Sequence, residues 1–228
     1  MIERRYAKTK FWLSLAAALF FLNAAVTFQN VWPTPWITTR HEFSIELAAL
    51  LLVVVLYSAW RAPPSPRLFG ALTVLIVLMS IGRYAEVTAP ALYGRPVNVY
   101  WDARYLPKVA AMLAEVASPW LIAGIVLGLL ALLGAVTAAV YWSLARVREG
   151  LAEAVPRRLL GVVAAVLVGI YTVGHVLDLR AQYWFSVPVG RTYGAQAAFI
   201  LDAFTGDHAY LERAGHDHTG QGDRAPGA

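Results

Sequence analysis

The chain has 228 residues, of which 59% are hydrophobic and only 14% are charged, and its mean hydropathy is +0.56. A water-soluble domain of this size carries more polar surface, so the composition places the chain among integral membrane proteins. The net charge of +5 does not indicate nucleic-acid binding, because the basic residues flank apolar segments, and the lack of cysteine excludes disulfides, thiol nucleophiles and zinc–thiolate sites.

Five apolar segments follow one another along the chain, and each predicts a transmembrane helix. A hydrocarbon core about 30 Å thick needs about 20 helical residues, so each segment is long enough to cross once. The sequence therefore predicts an all-α, polytopic membrane protein. The predicted spans are residues 11–28, 43–60, 68–87, 120–142 and 159–177.

The positions of the basic residues predict how these spans are oriented. Residues 1–10, 61–67 and 143–158 together hold ten of the nineteen Lys and Arg residues. Cytoplasmic segments next to membrane spans are enriched in Lys and Arg, so we place these three segments in the cytoplasm. This arrangement puts the N-terminus inside and the C-terminus outside. The first span meets no small-residue cleavage pattern, which favours a retained helix over a signal peptide.

Two further helices are predicted on the extracytoplasmic side, in the plane of the membrane surface. In the loop after the third span, apolar residues recur at helical spacing with charged residues on the other face, which is typical of an interfacial helix at about 105–116. A similar pattern predicts a second one at about 192–204. A purely structural role, in which both helices only cover the helix bundle, explains the pattern equally well. Residues 206–228 are polar and rich in glycine, and are predicted to be disordered.

Four ionisable residues lie within or near the spans, where a charge is costly unless it meets a partner or a watery cavity. Helical rise places Glu46, Arg83, Glu86 and His175 near one level, just below the outer headgroups. One interpretation is structural: Arg83 forms an ion pair with Glu46, or with Glu86 at i, i+3. The other is functional: Arg83 binds a lipid phosphate while His175 or Glu86 orients the headgroup.

The segment GRYAEVTAPALYGRPVNVYWD, residues 82–102, mixes aromatic residues, Gly/Pro turns and single charges. This mixture is typical of an ordered loop. Anchoring at the interface explains its aromatic residues, which leaves Arg95, Asn98 and Asp102 to contact a headgroup or a partner domain. The predicted headgroup-binding set is therefore Arg83, Glu86, Arg95, Asn98, Asp102 and His175.

That segment, together with FSVPVGRTYGAQ at residues 185–196, resembles the membrane half of bacterial sulfatase-like membrane proteins. This group is related to lipoteichoic acid synthases and phosphoethanolamine transferases. The resemblance covers residues 1–205 and implies a bacterial cytoplasmic (inner) membrane protein with interfacial helices that lead into an extracytoplasmic hydrolase-like domain. The Thr or Ser nucleophile and divalent metal of that domain have no counterpart in the chain, so no catalytic residue, metal site or cofactor is predicted.

Two functions remain open from the sequence. The leading hypothesis is a lipid-docking and anchoring domain that binds membrane phospholipid and works with a separate or missing sulfatase-like catalytic unit. The alternative is a non-catalytic subunit or assembly factor of a larger membrane protein complex. A small transporter is disfavoured, because the inner halves of the spans hold few polar residues. The histidines of the 206–228 tail lie among glycines, which supply no preorganised metal geometry.

Overall fold

The computed structural model of the chain describes residues 2–60, 65–180 and 184–205, and most of these residues are helical. The helices are α1 (Ile2–Thr27), α2 (Ile45–Trp60), α3 (Pro66–Tyr93), α4 (Val99–Val116), α5 (Pro119–Ala152), α6 (Ala154–Val176) and α7 (Pro188–Thr205). Four short strands accompany them: β1 (Gln29–Asn30), β2 (Ile37–Thr38), β3 (Phe43–Ser44) and β4 (Phe185–Ser186).

Several helices begin at caps that the sequence encodes. The hydroxyl of Ser65 accepts from Leu68 N at the start of α3, and Ser118 does the same for α5. Each serine is followed by a proline at the first helical position, where a missing N–H costs nothing. These Ser-Pro pairs fix where two of the longest helices start.

The apolar core lies where α1, α3 and the second half of α5 meet, with α2 and α6 packed alongside. Leu22, Ile76 and Leu151 are among its fully buried side chains. Helices α2 and α6 approach closely at Gly161, where a Cβ atom would lie 3.0 Å from Val55. The glycine at this point lets the two backbones come together.

The strands gather at one end of the bundle, where α1, α3 and α6 end and α2 and α5 begin. We call this the hairpin end, because β1 and β2 form an antiparallel hairpin there. Strand β3 pairs in parallel with β4, so the start of α2 is joined to the segment before α7. The side chain of Asn23 donates to the Glu42 carbonyl at 2.9 Å and accepts from Ser44 N at 2.8 Å.

Four helices are long and apolar enough to cross a membrane: α1 from Tyr6, α3, α5 and α6. Helix α2 has 16 residues, which is shorter than the predicted second span of 43–60. Its first two predicted residues are extended because Phe43 and Ser44 pair with β4. The mostly helical, membrane-type fold agrees with the sequence prediction at this coarser level.

Other boundaries differ from the predicted ones. Helix α3 continues six residues beyond 87 to Tyr93, so much of the expected loop at 82–102 is helical. The expected cytoplasmic link at 143–158 is almost entirely helical too, because α5 runs to Ala152 and α6 begins two residues later. The predicted interfacial helices coincide with α4 and α7, which begin earlier than expected. The predicted disordered tail, 206–228, lies outside the described residues.

Candidate functional site

Helix α4 is amphipathic, and the rest of the described chain does not cover its apolar face. The apolar residues of that face are 43–84% exposed. They are Leu106, Val109, Leu113 and Val116. The helix connects the end of α3 to the start of α5, so both of its ends are held at the hairpin end. An uncovered apolar face in this position requires a lipid surface or a partner against it.

The opposite face of α4 carries its basic residues beside aromatic rings. The guanidinium of Arg104 lies 4.5 Å from the ring centre of Tyr100 and 4.9 Å from that of Trp101, and it donates to the Tyr100 hydroxyl at 2.6 Å. Lys108 lies over Tyr105 at 6.0 Å. These cation–π contacts orient two positive charges along one stripe of the helix.

Three of the residues that the sequence predicts as headgroup ligands lie at the beginning of α4 and contact one another. Arg95 makes a forked contact with Asp102, with its two terminal nitrogens 2.7 and 3.3 Å from the carboxylate oxygens. Asp102 also accepts from Asn98 N, and the Asn98 side chain caps the helix through Trp101 N. The Arg95 hydrogen bond, followed by that of Asn98, lowers the pKa of Asp102, while Asp102 raises the pKa of Arg95. These three residues satisfy one another and stabilise the helix terminus.

Helix α7 fastens α4 to the bundle. The side-chain amide of Gln196 accepts from Val99 N at 3.1 Å and donates to the Val97 carbonyl at 2.7 Å. On the same helix, the hydroxyl of Tyr193 donates to the Leu78 carbonyl of α3 at 2.7 Å, and burial raises the pKa of this tyrosine. The start of α4 and the middle of α3 are therefore both held by α7, which follows β4 in the chain.

Arg83 is 8% exposed and bonds within the protein. Its Nε donates to the Phe28 carbonyl at 3.1 Å, and one terminal nitrogen donates to Glu86 at 2.9 Å. Phe28 directly follows α1, so the arginine binds a carbonyl at a helix C-terminus, where positive charge is favoured. The structural interpretation of Arg83 is therefore observed in its second form, as the i, i+3 pair with Glu86.

Glu46 contacts α7 and, in the part of the chain that the structure describes, does not form the predicted ion pair with Arg83. Its carboxylate accepts from Gly190 N at 2.5 Å, in the first turn of α7. Among the ion pairs of the described residues, Arg83 pairs with Glu86 and not with Glu46. A carboxylate at a helix N-terminus satisfies an N–H that has no partner inside the helix. Glu46 thus joins α2 to α7.

His175 is exposed near the end of α6 and stacks on Tyr171, with ring centres 5.9 Å apart and planes 8° from parallel. Tyr171 in turn contacts Phe185 of β4 edge-on. One cavity in the apolar core and one at the hairpin end are lined by none of His175, Glu46, Arg83 and Glu86. A shared recess for these four residues stays a prediction.

No group of three or more His, Asp or Glu residues in the described ranges is placed to hold a metal ion. The tail histidines considered from the sequence lie outside those ranges. No protein-family model matches the chain, and neither a curated protein nor a solved structure matches it.

Proposed function

We propose that the chain is an integral membrane protein that docks phospholipid on the extracytoplasmic surface of a bacterial cytoplasmic membrane. In this proposal it serves as the membrane half of a sulfatase-like headgroup transferase, together with a separate or missing catalytic unit. The observation that carries the docking function is the uncovered apolar face of α4, held between the ends of two membrane-length helices. A lipid surface covers such a face at low cost.

The contacts of α4 favour a phospholipid interface over a purely hydrocarbon environment. The apolar residues sink toward acyl chains, while Arg104 and Lys108 on the other face reach phosphate level. This assignment moves the docking function away from Arg83, Arg95 and Asp102, since the structure uses those side chains in internal contacts. The lipid is then held by a helix face and its aromatic–basic stripe, not by a buried recess.

The direction of the helices supports five crossings rather than four. Helices α1 and α3 both run toward the hairpin end, so in this proposal the chain returns through the membrane between them. Helix α2 makes this return with about 24 Å of helix, and the extended residues of β3 add about 7 Å, which together match a core of about 30 Å. The basic residues at the far end, among them Lys8, Arg67 and Arg158, favour a cytoplasmic location for that end.

Photo-crosslinking from α4 tests the docking function. A diazirine-bearing residue replaces Val109 on the apolar face, and the matched control replaces Ala111, which is exposed on the basic face of the same helix. In native membranes we expect lipid adducts from position 109 and few or none from position 111, measured by mass spectrometry. Equal lipid labelling at both positions would mean that α4 does not lie in the interface.

A protein adduct from position 109 would instead support the alternative function, a subunit or assembly factor of a larger membrane complex. The feature that favours this alternative is the rigid Arg104–Tyr100–Trp101 stack, because ordered aromatic and arginine side chains are common in protein interfaces. Its partner would be another membrane subunit or a sulfatase-like catalytic protein. The two functions are thus separated by the chemical nature of one adduct.

A further inference from the structure

An open polar cleft of about 590 Å³ lies at the hairpin end, apart from α4. Its volume falls within the range of about 300–1,000 Å³ that is typical of small-molecule sites. Two parts of the chain that are distant in sequence form its walls: the β1–β2 hairpin with the link that follows it to β3, and the residues Arg180 and Trp184 between α6 and β4. The lining residues are Gln29, Thr38, Thr39, Arg40, His41, Glu42, Arg180 and Trp184.

The backbone of the cleft is fixed by contacts that the sequence encodes. Gln29 and Thr38 lie opposite each other in the hairpin. The Asn23 side chain holds the link through the Glu42 carbonyl and Ser44 N. Trp184 directly precedes β4, which pairs with β3. The walls of the cleft are therefore tied to α1 and to one another before any ligand binds.

The turn that delivers Arg180 is a helix C-terminal motif. Leu179 N donates to the Gly174 carbonyl at 2.8 Å, and Asp178 has a φ of 50°. A left-handed residue followed by a bond back across the last turn reverses the chain direction at the end of a helix. Arg180 is placed by this turn, and it forms no ion pair among the described residues.

The charges of the cleft favour an anion. Two guanidinium groups, Arg40 and Arg180, stand against one carboxylate, Glu42, which forms an ion pair with Arg40. That pair orients Arg40 and still leaves it with unused N–H donors, since a guanidinium has five. Thr38 and Thr39 add hydroxyl groups to the same wall. Donors on different walls suit a tetrahedral oxyanion better than a planar carboxylate, which presents its oxygens along one edge.

We propose that this cleft binds a phosphate ester, with Arg180 and Arg40 on the phosphate oxygens and the ring of Trp184 against the organic group. Trp184 is 65% exposed, so its ring face is accessible from the cleft. No α4 residue lines the cleft, and the proposal does not depend on lipid docking by α4. The ester is either a soluble metabolite or the headgroup of a lipid.

Calorimetric titration of the full chain in maltoside micelles with phenyl phosphate tests the proposal. We expect saturable binding that weakens about tenfold or more in Arg180→Ala, and by an intermediate factor in Arg180→Lys, because lysine lacks the forked donors. Arg148→Ala, which removes an exposed cation of α5 outside both the cleft and α4, should bind like the native chain. Equal melting temperatures without ligand would show that the variants are folded.

Benzoate is the matched ligand control, because it keeps the ring and replaces the phosphate with a carboxylate. Benzoate binding as tight as that of phenyl phosphate would overturn the proposed ligand class. Binding that is absent in the native chain, or unchanged in Arg180→Ala, would overturn the site itself. Micelles doped with phosphatidic acid identify the source of the phosphate ester, and micelles doped with oleic acid at equal charge are the control. Competition by phosphatidic acid alone indicates a lipid headgroup, and no competition indicates a soluble ester.

Discussion

Three charged side chains of this protein bind backbone groups at the ends of neighbouring helices. Arg83 binds the carbonyl of Phe28 after α1, and Arg157 donates to the Ser58 carbonyl in the last turn of α2 at 3.3 Å. Glu46 makes the complementary contact with Gly190 N at the start of α7. Each charge faces the terminus that its sign favours, where backbone groups lack helical partners. In a low-dielectric setting such contacts satisfy the charge and the backbone group together.

Tyr193 packs against α3 at Gly82, so substitution of this glycine tests whether the contact holds α7 in place. A Cβ atom at Gly82 would lie 2.6 Å from the Tyr193 hydroxyl oxygen, so Gly82→Ala should displace α7 and lower the melting temperature. The matched control is Gly70→Ala on the same helix, where nothing lies within 4 Å of the added atom. Since alanine is the better helix former by roughly 0.5–1 kcal/mol, Gly70→Ala should be neutral or stabilising.

Hydrogen exchange of α7 locates the effect of the Gly82 substitution. Protection of the α7 amides should fall in Gly82→Ala and stay unchanged in Gly70→Ala. Tyr193→Phe should lose only the hydrogen bond to Leu78, about 1 kcal/mol, and keep most of the packing. If the two alanine variants behaved alike, the contact between Tyr193 and α3 would not hold α7 in place.

The sequence identifies charged residues at unusual positions, but it does not identify all of the groups that they contact. Arg83 and Glu86 were found because charges inside apolar spans are rare, and their i, i+3 spacing allowed the observed pair. The contacts of Gln196 could be seen only in the fold, because this residue lies 97 residues from the backbone amide it binds. Arg180 and Trp184 were visible only as a charge and an aromatic near a span end. Their cleft arises from a parallel strand pair too short to leave a sequence pattern.

At the scale of elements, apolar composition located the helices better than it located their ends. Hydropathy places the end of α3 too early, although Gly94 is a helix stop signal that can be read from the sequence. This residue is left-handed at φ 70°, and its N–H donates to the Pro90 carbonyl at 3.0 Å. The charges at the junction of α5 and α6 predict a link. In the structure α5 continues to Ala152, and Arg146 and Glu149 pair along it at i, i+3.

The start of α4 should respond to acid through Asp102. Arg95 and Asn98 hold the pKa of this carboxyl below its ordinary value of 3.8. A lowered folded-state pKa means that the stabilisation is fully present above 3.8 and is lost as the pH falls through the folded-state value. Because the pair is exposed, screening by salt should make the effect small, and smaller still at high ionic strength.

Hydrogen exchange at residues 99–102, corrected for its intrinsic pH dependence, measures this effect. Protection should fall in the native chain as the pH is lowered below 3.8 and Asp102 takes up a proton. Asp102→Asn should show weaker protection already at neutral pH and no further loss below pH 3.8. A native-like acid transition in Asp102→Asn would assign the pH response to another group.

At the scale of the whole molecule, the two ends of the bundle are stabilised by different interactions. Leu15, Phe69 and Leu144 belong to the apolar core, which lies away from α4. The first half of α5, by contrast, has no buried residue, and neither has α4. The hairpin end is held by side-chain hydrogen bonds such as those of Asn23 and Gln196. Polar contacts therefore form a platform at the hairpin end, beside the packed apolar core.

The proposed placement of this platform on the extracytoplasmic side can be tested with single cysteines, because the chain contains no cysteine of its own. Single cysteines replace Thr34 in the hairpin loop, Ala111 in α4, Arg67 at the start of α3 and Glu153 between α5 and α6. With a membrane-impermeant maleimide on spheroplasts, the first two should be labelled and the last two only after lysis, as five crossings and a cytoplasmic N-terminus require. Labelling of Arg67→Cys together with Thr34→Cys would show that α2 does not cross. The reverse pattern for all four would place the platform on the cytoplasmic side.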